Sequence, residues 1–312
     1  MKTLVFSQER IQKKFVVNNK KLNGIIMKKI LVLGSIGMAG HLITLYFKEQ
    51  GYEVVAYSMK PFPYCKNIVG NALDTEHFRN VLLGDNYDVI INCIGVLNQV
   101  AEDNQSLAVY LNSYLPHLVV DTLKRKNTKF IHMSTDCVFA GNTGPYYEDS
   151  LRDGLSFYDR SKALGEIEDN RNLSFRNSIV GPDPNKYGIG LFNWFMKQTG
   201  TINGYTRVMW TGVTTLTLAK AMEQAIKEDL TGLYNLVNNE SISKYNLLVL
   251  FNKYFKGGEV EILANDKICL DKSLRHKRND FSFVIPSYEQ QVIEMKEWIV
   301  MHSSLYPHYE IK

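Results

Sequence analysis

Lys29-Ile30-Leu31-Val32-Leu33-Gly34-Ser35-Ile36-Gly37-Met38-Ala39-Gly40 is the stretch that decides the fold of this 312-residue chain. The aliphatic run up to Leu33 reads as a buried parallel strand. It stops at Gly34, and a helical pattern follows from Met38 to Gln50. Glycines lack Cβ, so the backbone between strand and helix can turn tightly and come close to a pyrophosphate. The helix N-terminus adds free N–H groups and a positive dipole end. Gly40 lets helix and strand pack closely. The spacing is GxxGxxG rather than the usual GxGxxG, so a plain tight turn is the alternative. Its place after the first strand of an alternating chain favours phosphate binding. Gly34, Ser35, Ile36, Gly37, Met38 and Gly40 are therefore candidate cofactor contacts.

Outward from this loop, strands and helices alternate. Strands are expected at 52–58, weakly at 67–69, at 87–93, at 129–133 and at 173–180. Helical patterns occupy 76–83, 105–124 and 158–168. Such alternation predicts parallel pairing through right-handed crossovers, an α/β fold with a doubly wound parallel sheet of Rossmann type. The second half is less regular. Helices are expected at 190–197, 215–228, up to Phe255 and at 287–301, with a strand at 232–237. Thr214 or Thr215, and Ser241 or Ser243, stand where helix N-caps belong. The expected division is a nucleotide-binding domain over 27–181 plus about 205–238, and a smaller C-terminal substrate-binding lobe over about 182–204 and 239–312.

Composition narrows the class. The chain is 45% hydrophobic and 22% charged, with eight prolines, which is ordinary for a globular α/β protein. No apolar run reaches the roughly 18–20 residues of a membrane span. The net charge of +4 is misleading, because Lys2, Arg10, Lys13, Lys14, Lys20 and Lys21 face only Glu9 in the first 26 residues. Without them the body is slightly acidic, which speaks against nucleic acid as a partner. Residues 1–26 read as an N-terminal extension, either a disordered tail or a mis-started frame ahead of Met27. A basic targeting or partner-binding arm is the alternative. Cys65, Cys93, Cys137 and Cys269 form no CxxC pair, so no metal site is expected and a reducing cytoplasm fits.

The chemistry gathers at strand ends. Tyr158 and Lys162 stand at i and i+4, on one helix face. A cation one turn from a phenol favours the phenolate and lowers its pKa toward a useful range. A surface helix pair is the plain alternative. The strand before it ends His132-Met133-Ser134-Thr135-Asp136-Cys137-Val138-Phe139, where a hydroxyl of Ser134 or Thr135 can polarise a carbonyl. Local backbone bonding is the other reading of both. The strand at 87–93 ends in a small turn, Cys93-Ile94-Gly95, suited to a close cofactor. The second strand ends Tyr57-Ser58-Met59-Lys60 with no carboxylate for a ribose 2′-hydroxyl. Ser58 and Lys60 suit a 2′-phosphate instead, so NADP(H) is favoured over NAD(H).

On Gly34, Gly37 and Gly40, the Ser134-Thr135-Asp136-Cys137-Val138-Phe139 run, and Tyr158 with Lys162, the sequence resembles the extended short-chain dehydrogenase/reductase superfamily. It is most similar there to the branch of dTDP-4-dehydrorhamnose reductase and related nucleotide-sugar reductases. The resemblance covers about residues 28–240. It implies reduction of a 4-keto-6-deoxy sugar in which Tyr158 protonates the alkoxide and Lys162 holds the nicotinamide ribose. Thr135 would bond the carbonyl oxygen. It further implies a supporting role for Asn112 beside the cofactor and an adenine contact for Asp74, although a helix-surface Asn and a helix cap are the bland readings. Asp136, Val138, Asn177, Trp194, Arg207, Trp210 and Thr211 would line the sugar-nucleotide pocket. The 204–212 segment departs from the family's proline-containing version, so a UDP-linked N-acetylated 6-deoxy sugar fits as well. Precursor synthesis for cell-surface polysaccharide is the implied setting, with a homodimer left open. Two rivals remain: an epimerase or dehydratase of the same fold, and a non-catalytic subunit resembling that of methionine adenosyltransferase.

Overall fold

The computed structural model of the chain describes residues 27–312; the 1–26 extension lies outside them. Seven strands form one sheet in the order β3-β2-β1-β4-β5-β6-β10. They are β1 (Lys29–Leu33), β2 (Glu53–Ser58), β3 (Lys66–Val69), β4 (Val89–Asn92), β5 (Lys129–Ser134), β6 (Leu173–Arg176) and β10 (Gly232–Asn235). Every neighbouring pair in it is parallel. The chain grows outward from β1 to β3, then returns to place β4 on the other side of β1. A doubly wound sheet opens its crevice at that reversal, outside the carboxyl ends of the strands.

Successive side chains of a strand point to opposite faces, and the core follows this period. Ile30, Val32, Val54, Ala56 and Ile91 face a cluster with helices α1 (Met38–Glu49) and α8 (Thr215–Lys227). Leu31, Leu33, Val55, Tyr57 and Ile90 face a second cluster with α2 (Thr75–Leu83) and α5 (Leu115–Thr122). Each fully buried aliphatic contributes about 1.5–3 kcal/mol. Between β4 and β5 lie α3 (Asn98–Asp103) and α4 (Gln105–Ala108), and α4 runs through a π turn, Val109–Tyr114, into α5.

The C-terminal half builds the lobe. Helix α6 (Phe157–Leu164) precedes β6, and the expected strand at 173–180 breaks in two. Its second piece, β7 (Ser178–Val180), leaves the large sheet to pair with β9 (Gly212–Thr214). A three-stranded sheet is made of β8 (Thr201–Trp210), β11 (Ile242–Ser243) and β12 (Glu261–Asp271). Neither β8 nor β12 was expected. Strand β8 runs unbroken past residue 205 to Trp210 in the small sheet. Thr214 caps α8 and Ser243 caps α9 (Lys244–Phe255), by accepting from the N–H groups of Thr217 and Asn246. Helix α10 (Tyr288–Met301) closes the chain.

An aromatic cluster ties these pieces together. Phe192, on α7 (Leu191–Met196), lies with ring centroids 5.3 Å from Phe251, 4.7 Å from Phe255 and 5.3 Å from Tyr309. The C-terminal segment also reaches the glycine loop. Trp298 donates its indole N–H to the Tyr306 hydroxyl at 3.2 Å, and that hydroxyl lies 2.7 Å from His41 Nε2. His41 Nδ1 lies 3.0 Å from the Gly37 carbonyl, which only accepts, so the proton sits on Nδ1. Burial lowers the His41 pKa to about 4, so the ring stays neutral.

Removing the Phe192 ring leaves a void that α7, α9 and the tail cannot easily close. Phe192→Ala should lower the unfolding free energy by about 3–5 kcal/mol in a urea titration followed by circular dichroism. A loss under ~1 kcal/mol would show that the aromatic cluster does not hold the lobe.

Candidate active site at the carboxyl edge of the sheet

The three glycines of the loop do different work. Gly34 has φ +81°, and a Cβ there would come 3.1 Å from the Cys93 backbone and from Ile94. Its N–H donates to the Tyr57 carbonyl at 2.8 Å, joined by Ser35 N–H at 3.2 Å. A Cβ on Gly40 would overlap the Gly34 carbonyl. At Gly37 the nearest atom to a Cβ is 3.5 Å away, so the turn is open on that side. Gly37 caps α1 with no side-chain hydrogen bond, which leaves the first-turn N–H groups without a side-chain acceptor. Ile36 and Met38 are half-buried beside it.

Helix α6 presents Tyr158 and Lys162 to the same edge. Ser156 and Asp159 close a capping box at its start. Glu102 accepts the N–H groups of Phe157 at 2.7 Å and Tyr158 at 3.3 Å, a carboxylate where the helix dipole favours one. The phenol is 7% exposed. Burial, and then the neighbouring Cys137, push its pKa well above the ordinary value, while a hydrogen bond with Thr135 pulls the other way. Thr135 itself accepts from Cys137 N–H at 3.2 Å and donates to Asp136 Oδ1 at 3.2 Å. Tyrosine, threonine and aspartate thus meet where β5 ends.

Burial is the largest influence on the Tyr158 phenol, and the Lys162 amine is bonded to the neighbouring strand. That amine donates to the Met133 carbonyl at 2.6 Å and lies 3.4 Å from His132 Nε2. Burial lowers its pKa to about 8, against the pull of Glu166 and Cys93. A buried ammonium takes the nearest acceptor, and here that is the strand's own carbonyl.

Ser134 also has another task. It donates to Glu166 Oε1 at 2.5 Å and is 6% exposed. Arg176 grips the same carboxylate at 2.8 and 2.7 Å, and Arg152 Nε adds a third contact at 2.5 Å. Burial alone would raise the Glu166 carboxyl, but Arg176, Ser134 and Arg152 hold it below the usual range. Ser134 is thus part of a buried clamp and does not offer its hydroxyl to a carbonyl. Asn112, within the π turn, is likewise spent: it bonds Val96 N–H and C=O at 2.9 and 3.0 Å, and Ser161 Oγ at 3.0 Å. It braces the turn after β4 against α6. π turns often mark functional sites.

The remaining candidates scatter. Cys93 and Gly95 flank the loop, with Gly95 packed on Asn112 Oδ1. Ser58 is buried and donates to the Lys60 carbonyl at 2.7 Å, whereas the Lys60 side chain is exposed. Asp74 caps α2 by accepting His77 N–H at 3.1 Å. Asp136 is buried, and burial raises its pKa against the attraction of Lys244 and Lys272. Val138 is fully buried in a separate cluster with Phe139, Tyr146, Val237 and Leu274, so it lines no pocket. Trp210 is 3% exposed and packs on Tyr288, again as core. Thr211 accepts Leu274 N–H at 2.7 Å, a structural bond. Arg207 is exposed on β8, and Trp194 is 40% exposed on α7. Asn177 is buried with its Oδ1 unpartnered.

Several residues escaped sequence reasoning. His132, Glu166 and Arg152 carry no local signal, because their partners are distant in the chain. Lys244 opens α9 and its ammonium lies 5.4 Å from the Trp210 ring, with no ion-pair partner among the described residues. Among the described residues no group of three His, Cys, Asp or Glu could hold a metal ion, and all four cysteines are free. No helix among them is long and apolar enough to cross a membrane.

The family described as the RmlD substrate binding domain matches residues 27–261. The chain belongs to the RmlD substrate-binding-domain family. Within reach of it stands a probable low-salt glycan biosynthesis reductase, Agl14, of Haloferax volcanii, 34% identical over 141 residues, 43% of this chain and 46% of that protein. The chain thus aligns with about half the length of that relative. The spore coat polysaccharide biosynthesis protein SpsK of Bacillus subtilis is 26% identical over 226 residues, 70% of this chain and 76% of that one. Among solved structures, dTDP-4-dehydrorhamnose reductase of Bacillus anthracis in complex with NADP superposes with a TM-score of 0.71 at 18% identity, covering 86% and 99% of the two chains. At that identity the likeness concerns the fold. It is the RmlD-type architecture, a parallel sheet with an added C-terminal lobe.

Two substitutions separate the clamp from the chemistry. Glu166→Gln leaves Arg176 buried without its counter-charge and should cost about 3–5 kcal/mol in urea unfolding. Ser134→Ala should cost about 1–2 kcal/mol there and leave NADPH affinity unchanged in a calorimetric titration. A stable Ser134→Ala protein with impaired cofactor binding would return Ser134 to the site.

Proposed function

We propose that this chain is a nicotinamide-dependent reductase that reduces the 4-keto group of a nucleotide-diphospho-6-deoxy sugar. The reaction would supply precursors for cell-surface polysaccharide in the cytoplasm. One observation carries the reading: a buried phenol that stays protonated meets a threonine hydroxyl at the carboxyl end of β5, on the same edge as the open glycine turn. Family membership and the polysaccharide-pathway relatives support it.

The residues present fit a dinucleotide. The open side of Gly37 and the uncapped first turn of α1 offer a pyrophosphate both space and N–H donors. When bound, a reduced nicotinamide supplies the hydride. Lys162 would hold the nicotinamide ribose, once its amine swings from the Met133 carbonyl. Thr135 Oγ1 would donate to the substrate carbonyl oxygen. Tyr158 would give its proton to the developing alkoxide. Reduction needs a donor that starts protonated, and burial, which raises the pKa of the phenol, favours that form. NADP(H) is favoured over NAD(H), because β2 ends without a carboxylate and Lys60 stands exposed just past it. With Ser58 turned inward, that preference rests on Lys60 alone.

Tyr158→Phe should keep the fold and the NADPH affinity but lower turnover at least ~100-fold. The assay offers dTDP- and UDP-linked 4-keto-6-deoxy sugars with NADPH or NADH and follows the cofactor absorbance. Full activity in that variant would reject the mechanism, and turnover without net cofactor oxidation would point to an epimerase.

A further inference from the structure

His132 lies in the middle of β5, fully buried, its ring stacked on Phe130 with centroids 6.1 Å apart. Nothing in the proposed chemistry uses it. Its two nitrogens nevertheless connect the turn after β4 to the catalytic helix. On one side Asn92 Nδ2 lies 3.2 Å from His132 Nδ1. The orientation of that amide is set elsewhere, since Asn92 Oδ1 accepts the Ile94 N–H at 3.0 Å. The nitrogen end therefore faces the imidazole, and an amide NH₂ only donates. His132 Nδ1 must accept, so a neutral ring carries its proton on Nε2. That Nε2–H points at Lys162 Nζ, 3.4 Å away. An ammonium has hydrogens and no lone pair, so the two donors oppose each other. A neutral amine can accept from Nε2–H and still donate to the Met133 carbonyl at 2.6 Å.

We infer that His132 is a positioning residue for Lys162: locked in one tautomer by Asn92, it holds the amine against the Met133 carbonyl and opposes its charged form, so that this lysine gives up its proton more readily than an ordinary one. The inference rests on the reading of Lys162 as a cofactor-holding residue. Asn92, His132 and Lys162 then form one chain of hydrogen bonds from the turn that faces the glycine loop to the helix that carries Tyr158. In a complex, a ribose hydroxyl and the cofactor's negative charge would replace the Met133 carbonyl as its partners and favour the ammonium.

The other groups around Lys162 do not change charge in the range that matters. Burial pushes the Cys93 thiol up to about 12 and raises Tyr158 on the same helix. Burial, with Lys162 and His117 adding to it, keeps His132 neutral. Glu166 remains a carboxylate in the grip of Arg176. The sign follows from the lowered lysine pKa: the cation is present below about 8 and lost above it, where an ordinary lysine stays charged to 10.5. Affinity for an anionic cofactor should fall across that interval. The 2′-phosphate of NADPH titrates near pH ~6 and does not interfere.

The test is calorimetric titration of NADPH into the whole protein between pH ~7 and ~10, which needs no sugar substrate. Wild type should lose roughly tenfold or more in affinity above pH ~8. Lys162→Met should bind roughly tenfold more weakly at pH ~7 and show no such break. His132→Gln, whose amide oxygen can accept from an ammonium, should move the break upward by about one pH unit or more. Identical profiles for His132→Gln and wild type, beside a weak and flat Lys162→Met, would overturn the role of His132 alone. A Lys162→Met protein that binds like wild type would overturn the cofactor-holding role first, and this inference with it. Should His132→Gln not fold, long-range ¹H–¹⁵N correlation spectra of the wild type decide. A protonated Nε2 with bare Nδ1 supports the inference, and the opposite tautomer defeats it.

Discussion

The closeness of Gly40 to the Gly34 carbonyl is the constraint from which the rest of the molecule follows. Helix α1 can start where it does only because no Cβ stands between them. That start fixes the angle at which α1 lies on the sheet, and the helix and the sheet face then share one apolar cluster. It also leaves the turn at Gly37 facing the crevice between β1 and β4. The positive φ of Gly34 and the bonds from Gly34 and Ser35 to the Tyr57 carbonyl hold the loop from its other side. Packing and ligand access are therefore two results of one contact.

The chemistry sits on a second rigid base, the carboxylate of Glu166. Its side chain, with Arg176, Arg152 and Ser134, joins the ends of β5 and β6 to the segment after α6. A buried ion group of this kind gives little net stability but costs much when one partner is lost. It confers direction on its surroundings: Thr135 faces the crevice while Ser134, next in the strand, faces the clamp. The same dry surroundings raise Tyr158 and lower Lys162. One environment thus keeps the acid protonated and makes the base easy to discharge.

Much of this was legible in the sequence because it is periodic or local. Hydrophobic alternation marked six of the seven parallel strands clearly enough to place the glycine loop and Tyr158 at one edge. Helix caps at Thr214 and Ser243 follow from hydroxyls beside amphipathic runs. Strands β8 and β12 escaped, since of their residues only Gly204 and Trp210 are buried and they are held by pairing with each other across some sixty residues of chain. The bonds of Ser134 and Asn112, and the cluster that holds Val138, were out of reach for a related reason. Residue type and position said that they were near the site, but only distant partners decide where a hydroxyl, an amide or a methyl group points. Lys162 shows the same limit at one turn's distance. Its spacing from Tyr158 was plain, while its actual acceptor belongs to another strand.

The relay from Trp298 through Tyr306 and His41 to the Gly37 carbonyl spans the chain almost end to end, since His41 and Tyr306 are 265 residues apart. During synthesis the glycine turn emerges first, and the hydroxyl that completes its brace follows 265 residues later. A nascent or C-terminally clipped chain has the turn without its keystone. The nucleotide grip of this molecule therefore matures only after the Tyr306 segment has joined the fold.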